Sequence, residues 1–212
     1  MKKYIYNPPS LIKKFFKDFI WETKIDKILL TFDDGPVTKT TETILNFLND
    51  KKIKAAFFCV GENCKKNPKL LAEIIKEKHL VANHTFHHKR FTKIYEAERE
   101  LEIDLFNNLL LEEHNYKVKY FRPPYGRFNL STQNLLKKKN LKNVMWSLLT
   151  YDYKNDLKLV KFAVKNYLKK NSIIVLHDSL KSKNIIIDSL EFILDEADKK
   201  GFQIGKPNEC LK

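Results

Sequence analysis

LLTFDDGP, residues 29–36, begins as a strand and ends in a charge problem. With Lys27 and Ile28 ahead of it, the run KILLTFD predicts a strand over residues 27–33, and its apolar residues are continuous rather than alternating. Strands read this way when a parallel sheet is covered on both faces. Asp33 and Asp34 then stand side by side at the carboxyl end, stopped by Gly35 and Pro36. Two adjacent carboxylates at a strand terminus call for a positive partner, which the rest of the chain has to supply.

Further short apolar runs fall at residues 54–60 (KAAFFCV), 79–83, 117–121 (KVKYF), 143–147 (NVMWS), 172–177 (SIIVLH) and 201–205. Longer amphipathic stretches separate them, at residues 39–51, 66–78, 94–114, 131–139, 156–169 and 184–199. This is a βα series of seven strands, which favours a wound α/β barrel over an open sandwich. Ser131 and Asp156 stand where N-caps belong, and Gly61, Gly126 and Gly201 mark turns that need open backbone angles. No repeat, linker or low-complexity block divides the 212 residues, so a single domain is expected.

The hydrophobic fraction of 43% and aromatic fraction of 12% are ordinary for a protein that folds in water. No stretch approaches the length of a membrane span. Pro8, Pro9, Lys13 and Lys14 interrupt the start and no Ala precedes Ala55, so no cleavable signal is read. Cys59, Cys64 and Cys210 are odd in number and lack metal or framework spacing. Reduced thiols and a cytoplasmic location follow as expectations. The net charge of +14 rests on lysine: of 40 basic residues only Arg90, Arg99, Arg122 and Arg127 are arginine. Base readout leans on bidentate Arg, so specific nucleic-acid binding is not expected, while weak association with anionic surfaces is.

Residues 1–26 are read as an extension ahead of a main unit over residues 27–212. In SLIKKFFKDFIW, Leu11, Ile12, Phe15, Phe16, Phe19 and Ile20 share one helical face opposite Lys13, Lys14 and Lys17. A membrane-surface helix fits this pattern. A short helix docked on the barrel, plugging one end, is the expectation preferred here.

In a βα barrel the loops after the strands converge on one rim, which carries the chemistry. Asp33 and Asp34 end the first strand, NHTFHH (83–88) follows the third, RPPYG (122–126) the fourth, and LHD (176–178) ends the sixth. His84 and His88 are spaced to present two imidazoles on one side of a helical turn. With one aspartate of the first strand they make an open three-ligand set of the kind catalytic zinc uses. His87 would point elsewhere on such a turn, and His79 and His114 lie in plain polar contexts. Arg122 begins a loop stiffened by two prolines, and its guanidinium can hold a carboxylate in a forked geometry.

These motifs resemble the polysaccharide deacetylases, carbohydrate esterase family 4, known for the NodB homology domain. TFDDGP (31–36) is similar to the family's first motif, HTFHH (84–88) to its second, RPPYG to its third and LHD to its fifth, in order and spacing over residues 27–205. The resemblance implies a distorted (β/α)7 barrel. It implies that Asp34, His84 and His88 hold a divalent metal, zinc by preference with Co, Ni or Mn as substitutes, and that Asp33 is the catalytic base. It further implies that Arg122 orients Asp33, that the Tyr125 backbone N–H helps bind the oxyanion, and that His177 is the general acid. Leu176 would line the acetyl pocket. The fourth motif departs from the family: where Asp–Trp is usual, this chain reads WSLLTYDYKND, which makes Asp152 the partner of His177 and puts Tyr153 in place of the groove-walling Trp.

The activity so implied is hydrolysis of N-acetyl groups from amino sugars of an N-acetylated, peptidoglycan- or chitin-like glycan by a monomer. Alternatives are an O-acetyl esterase acting on glycans and a non-catalytic glycan-binding barrel.

Overall fold

A computed structural model describes residues 4–212. Among them are eight strands: β1 Lys27–Asp33, β2 Ala56–Cys59, β3 Leu80–Asn83, β4 Tyr120–Phe121, β5 Lys142–Asn143, β6 Leu148–Leu149, β7 Ile173–His177 and β8 Gln203–Ile204. The helices are α1 Ser10–Phe15, α2 Thr40–Asp50, α3 Gly61–Lys66, α4 Pro68–Lys76, α5 Glu96–His114, α6 Leu130–Lys138, α7 Leu157–Tyr167, α8 Ile186–Lys199 and α9 Pro207–Cys210. All strand pairings are parallel, in the order β5-β4-β3-β2-β1-β7-β6, with β8 added beside the start of β1. The sheet curls into a seven-strand half-barrel whose ends, β5 and β6, share no ladder. That opening is the distortion expected of the barrel.

β1 lies at the centre and fixes the polarity of the site. Ile28, Leu30 and Phe32 point outward into the large core beneath the helices, with Phe57, Val81, Ile174 and Leu176 from neighbouring strands. Leu29 points inward with Ala56, Phe58, Ala82 and Ile173. Both faces are thus buried, as the continuous apolar run required, and the parity of a strand places Asp33 on the inner face.

The run 143–147 does not form the single strand expected of it. Only Asn143 of it lies in a strand, β5, and residues 144–147 run on to β6 with their carbonyls claimed by a side chain: Arg122 donates from Nε to Val144 O (2.8 Å) and from Nη2 to Met145 O (2.9 Å). The Met145 N–H meanwhile donates to Ile20 O, 2.8 Å away, in the N-terminal extension. A second correction concerns caps: Asn129, not Ser131, caps α6, accepting the Thr132 N–H at 3.0 Å. Asp156 caps α7 as expected, accepting the Lys158 N–H at 2.9 Å. Gly61 opens α3, a helix not anticipated, and adopts no left-handed angle. A Cβ there would meet the Phe86 ring at 2.3 Å.

The extension also differs from expectation. Helix α1 stops at Phe15 and buries none of its residues. What packs is the segment after it: Phe19 and Trp21 are buried with Met145, against Phe16, Phe128 and Trp146. All three cysteines are buried and unbonded.

Candidate active site

Five strand ends, those of β1, β3, β4, β6 and β7, bring the chemistry together around a cavity of about 430 Å³. Asp33, Asp34, His84, His88, Tyr125, Tyr153 and His177 all line it. Arg122 lies directly behind and is fully buried.

The aspartate pair is held in a divided state. The Arg122 Nη1 donates to Asp33 Oδ1 at 2.6 Å and to Thr31 Oγ1 at 2.9 Å, while the guanidinium lies over the Phe58 ring at 3.9 Å. Asp34 turns the other way, its backbone in the left-handed region at φ 85°. Its Oδ1 lies 3.1 Å from His88 Nε2 and 3.7 Å from His84 Nε2. The turn that separates the two carboxylates requires Gly35, since a Cβ there would sit 1.7 Å from Asp178 Oδ2. Asp178, which sequence reasoning passed over, accepts the Gly35 N–H at 2.8 Å and the Thr41 hydroxyl at 2.9 Å, and burial lifts its carboxyl to about 7.

Donor atoms of Asp34, His84 and His88 lie within 4.8 Å of one another. Their chemistry fits a divalent cation. His84 Nδ1 is 2.7 Å from the Arg122 carbonyl oxygen, which can only accept, so Nδ1 carries the proton and the lone pair of Nε2 faces Asp34. Burial pushes His84 down to about 4, against the opposing charge of Asp33, so the imidazole is neutral and able to ligate at neutral pH. Burial works to raise Asp34, but the His88 hydrogen bond and the nearby histidine charges outweigh it and lower the carboxyl, leaving the anion a metal requires.

The loop between the two histidines is strained, with Thr85 at φ 69° and His88 at φ 55°. A buried carboxylate from α5 holds it. Glu102 Oε2 accepts the Phe86 N–H at 3.0 Å and the His87 N–H at 2.7 Å, and Oε1 lies 2.7 Å from His87 Nδ1. Asn83 Oδ1 accepts the Thr85 N–H at 2.7 Å, and Thr85 Oγ1 accepts the His88 N–H at 3.0 Å. No spacing motif in the sequence marks Glu102, one of several acids along α5. His87, set aside on helical spacing, lines the cavity, because the loop is not helical.

Across the cavity, Asp152 grips His177 twice: Oδ1 is 2.8 Å from Nδ1 and Oδ2 accepts the backbone N–H at 2.7 Å. Burial alone would lower His177, but the Asp152 charge and hydrogen bond, with Asp34 and Asp33 behind them, carry it up to about 9. The ring of Tyr153 stands edge-on to His177 at 4.8 Å, and burial pushes its hydroxyl to about 12. Tyr125 sits at φ 59° with its ring 4.8 Å from that of His88.

Leu176 is corrected. It is fully buried on the outer face of β7, in the core under the helices. Strand parity gives the cavity Val175 and His177 instead, with Leu149 from β6 beside them. Trp146, read from the sequence only as part of a strand, lines the cavity and packs where a Cβ on Gly126 would meet it at 2.3 Å.

A polysaccharide deacetylase family profile matches residues 21–144. A peptidoglycan-N-acetylglucosamine deacetylase of Bacillus cereus is 30% identical over 92% of this chain and 72% of its own length. The peptidoglycan-N-acetylmuramic acid deacetylase PdaA of Bacillus subtilis is 29% identical, covering 95% of this chain and 78% of its own. Among solved structures, a peptidoglycan N-acetylglucosamine deacetylase superposes with a TM-score of 0.84 at 27% identity over 97% of both chains. The matched profile, the half-barrel and the ordered motifs converge: this chain belongs to the polysaccharide deacetylase family, carbohydrate esterase family 4.

Proposed function

We propose that this protein hydrolyses N-acetyl groups from amino sugars of a peptidoglycan- or chitin-like glycan, releasing acetate. The observation that carries the reading is the division of the aspartate pair, with Asp33 tied to Arg122 and Asp34 turned to the two histidines. Asp34, His84 and His88 would hold zinc, or Co, Ni or Mn in its place, and a cation there supplies Lewis acidity toward the amide carbonyl and water.

The chain's own groups do the rest. Asp33, with Oδ1 occupied by Arg122, keeps Oδ2 to take the proton of the attacking water as general base. The Tyr125 backbone N–H, on the cavity lip, is the donor assigned to the developing oxyanion, a contact worth about 3 kcal/mol. His177 protonates the leaving nitrogen, and Asp152 keeps it charged and aimed. Leu149 and Val175 give the acetyl methyl an apolar seat, while Tyr153 and Trp146 wall the sugar site.

An O-acetyl ester would be cleaved by the same base. An amine leaving group needs a proton more than an alcohol does, and a His177 held protonated to about 9 supports the amide. The two related deacetylases, named for peptidoglycan N-acetylglucosamine and N-acetylmuramic acid, support the same substrate class. The test is acetate release by purified, metal-loaded protein from N-acetylglucosamine oligomers and peptidoglycan fragments, against O-acetylated glycans, with and without chelator. Chelator-sensitive release from the N-acetylated panel supports the proposal. Release from the O-acetylated panel alone assigns the esterase, and no release from either assigns a glycan-binding barrel.

A further inference from the structure

Helix α1 presents an apolar face that nothing in the described structure covers. Leu11 is 73% exposed and Phe15 71%, one helical turn apart on the same side, with Ile12 at 40% beside them. Single exposed apolar residues are ordinary, but a stacked pair of large ones on one short helix is a patch. Lys14 and Lys17 are exposed in the same segment and take part in no ion pair among the described residues. The local acids are already matched: Glu22 to Lys13 at 2.8 Å, and Asp18 to Lys137 at 2.9 Å.

A six-residue helix is too short to persist in water by itself. Here its carboxyl end is fastened to the body of the protein. The Phe16 ring meets Phe128 edge-on at 4.8 Å, Phe19 meets the same ring at 5.1 Å, and Trp21 Nε1 donates to Phe16 O at 2.9 Å. The fold therefore holds in place a helix whose outer apolar face takes no part in the core. Phe128 lies two residues beyond Gly126, in the loop that carries Tyr125 to the cavity.

We propose that α1 docks the protein on an anionic lipid surface, with Leu11 and Phe15 entering the boundary between headgroups and acyl chains and Lys14 and Lys17 meeting lipid phosphates. The charge pattern selects this occupant. A second copy of the chain would set the same unpaired lysines against each other and add its own +14. A polyanionic glycan would satisfy the lysines and leave Leu11 and Phe15 in water. An anionic bilayer meets both, and two weak signals together are what stable surface attachment requires. The inference is independent of the catalytic reading.

The test is co-sedimentation of the full chain with vesicles of mixed phosphatidylglycerol and phosphatidylcholine, and with vesicles of phosphatidylcholine alone. Binding is expected to the first and not to the second. Because the altered residues are exposed, the variants keep the fold, which circular dichroism verifies. Leu11→Ser with Phe15→Ser is expected to weaken binding about tenfold. Lys14→Glu with Lys17→Glu should lose at least about fivefold per residue. Lys66→Glu with Lys69→Glu, the same charge change on another face, should lose much less. Binding that ignores the Leu11/Phe15 substitutions would overturn the proposal, as would equal binding to neutral vesicles, equal loss in the Lys66/Lys69 control, or a dimer in sedimentation velocity that depends on Leu11 and Phe15.

Discussion

Arg122 Nη1 stands 2.6 Å from Asp33 Oδ1, and the two residues are 0% and 5% exposed. The remaining donors of the guanidinium reach Thr31 Oγ1 and the carbonyls of Val144 and Met145, so one side chain braces the base and shapes the break between β5 and β6. Arg122→Ala leaves a buried carboxylate and two carbonyls unpaired, and an expected loss of about 3–5 kcal/mol follows. Arg122→Lys recovers only part of it, since an ammonium cannot serve acceptors spread over a planar fork. Denaturant unfolding of the metal-free proteins reads both values.

The His177–Asp152 pair gives a pH signature. A histidine lifted from 6.5 to about 9 adds stability that is fully present below pH 6.5 and is lost as pH rises through about 9. In metal-free protein the His177 ring should titrate near that upper value by NMR. Asp152→Asn should bring it down steeply, since burial then acts with far less opposition. Metal loading should lower it as well, because the cation cancels the charge of Asp34. A wild-type His177 titrating at or below 6.5 would remove the basis for its role as acid.

Glu102 is a positioning residue for the two candidate ligands, acting through the loop between them. Glu102→Gln keeps the shape but loses charge and one acceptor, and the expected result is a metal affinity weakened by about 10–100-fold in chelator competition. Glu102→Asp, a shorter acid, should recover part of the affinity. Unchanged metal affinity in Glu102→Gln would assign the contact to loop stability alone.

Opposite faces of β7 separate by substitution. Leu176→Ala should cost about 2–5 kcal/mol in unfolding, from the cavity left under the helices, with little change in KM. Val175→Phe projects into the cavity and should impair turnover of N-acetylated substrate at nearly unchanged stability. The reverse pattern would return Leu176 to the acetyl pocket.

Much of this was legible in the sequence because burial on both faces leaves a strong mark. Residues 27–33 form β1 as read, and β7 and the helices at residues 39–51, 94–114 and 156–169 lie within a few residues of expectation. The site residues Asp33, Asp34, His84, His88, Arg122, Asp152, Tyr153 and His177 meet around one cavity because motifs at strand ends inherit their placement from the topology. The failures have local causes. Residues 143–147 looked like a strand because their apolar pattern is one, and nothing in it announces that Arg122 takes their carbonyls. Leu176 was misassigned by one step of strand parity, which only the known inward orientation of His177 corrects. Glu102 and Asp178 were hidden because a buried acid holding a loop carries no spacing motif. Helix α1 reads as amphipathic, but amphipathicity does not say whether the apolar face meets the protein or something outside it.

The division of labour between neighbouring aspartates is tested most directly by metal content and acetate release measured together on Asp33→Asn and Asp34→Asn. The predicted result is near-stoichiometric metal with acetate release down by at least about 1,000-fold in Asp33→Asn, and metal itself lost in Asp34→Asn. Acetate release preserved in Asp33→Asn, or full metal retention in Asp34→Asn, would contradict it.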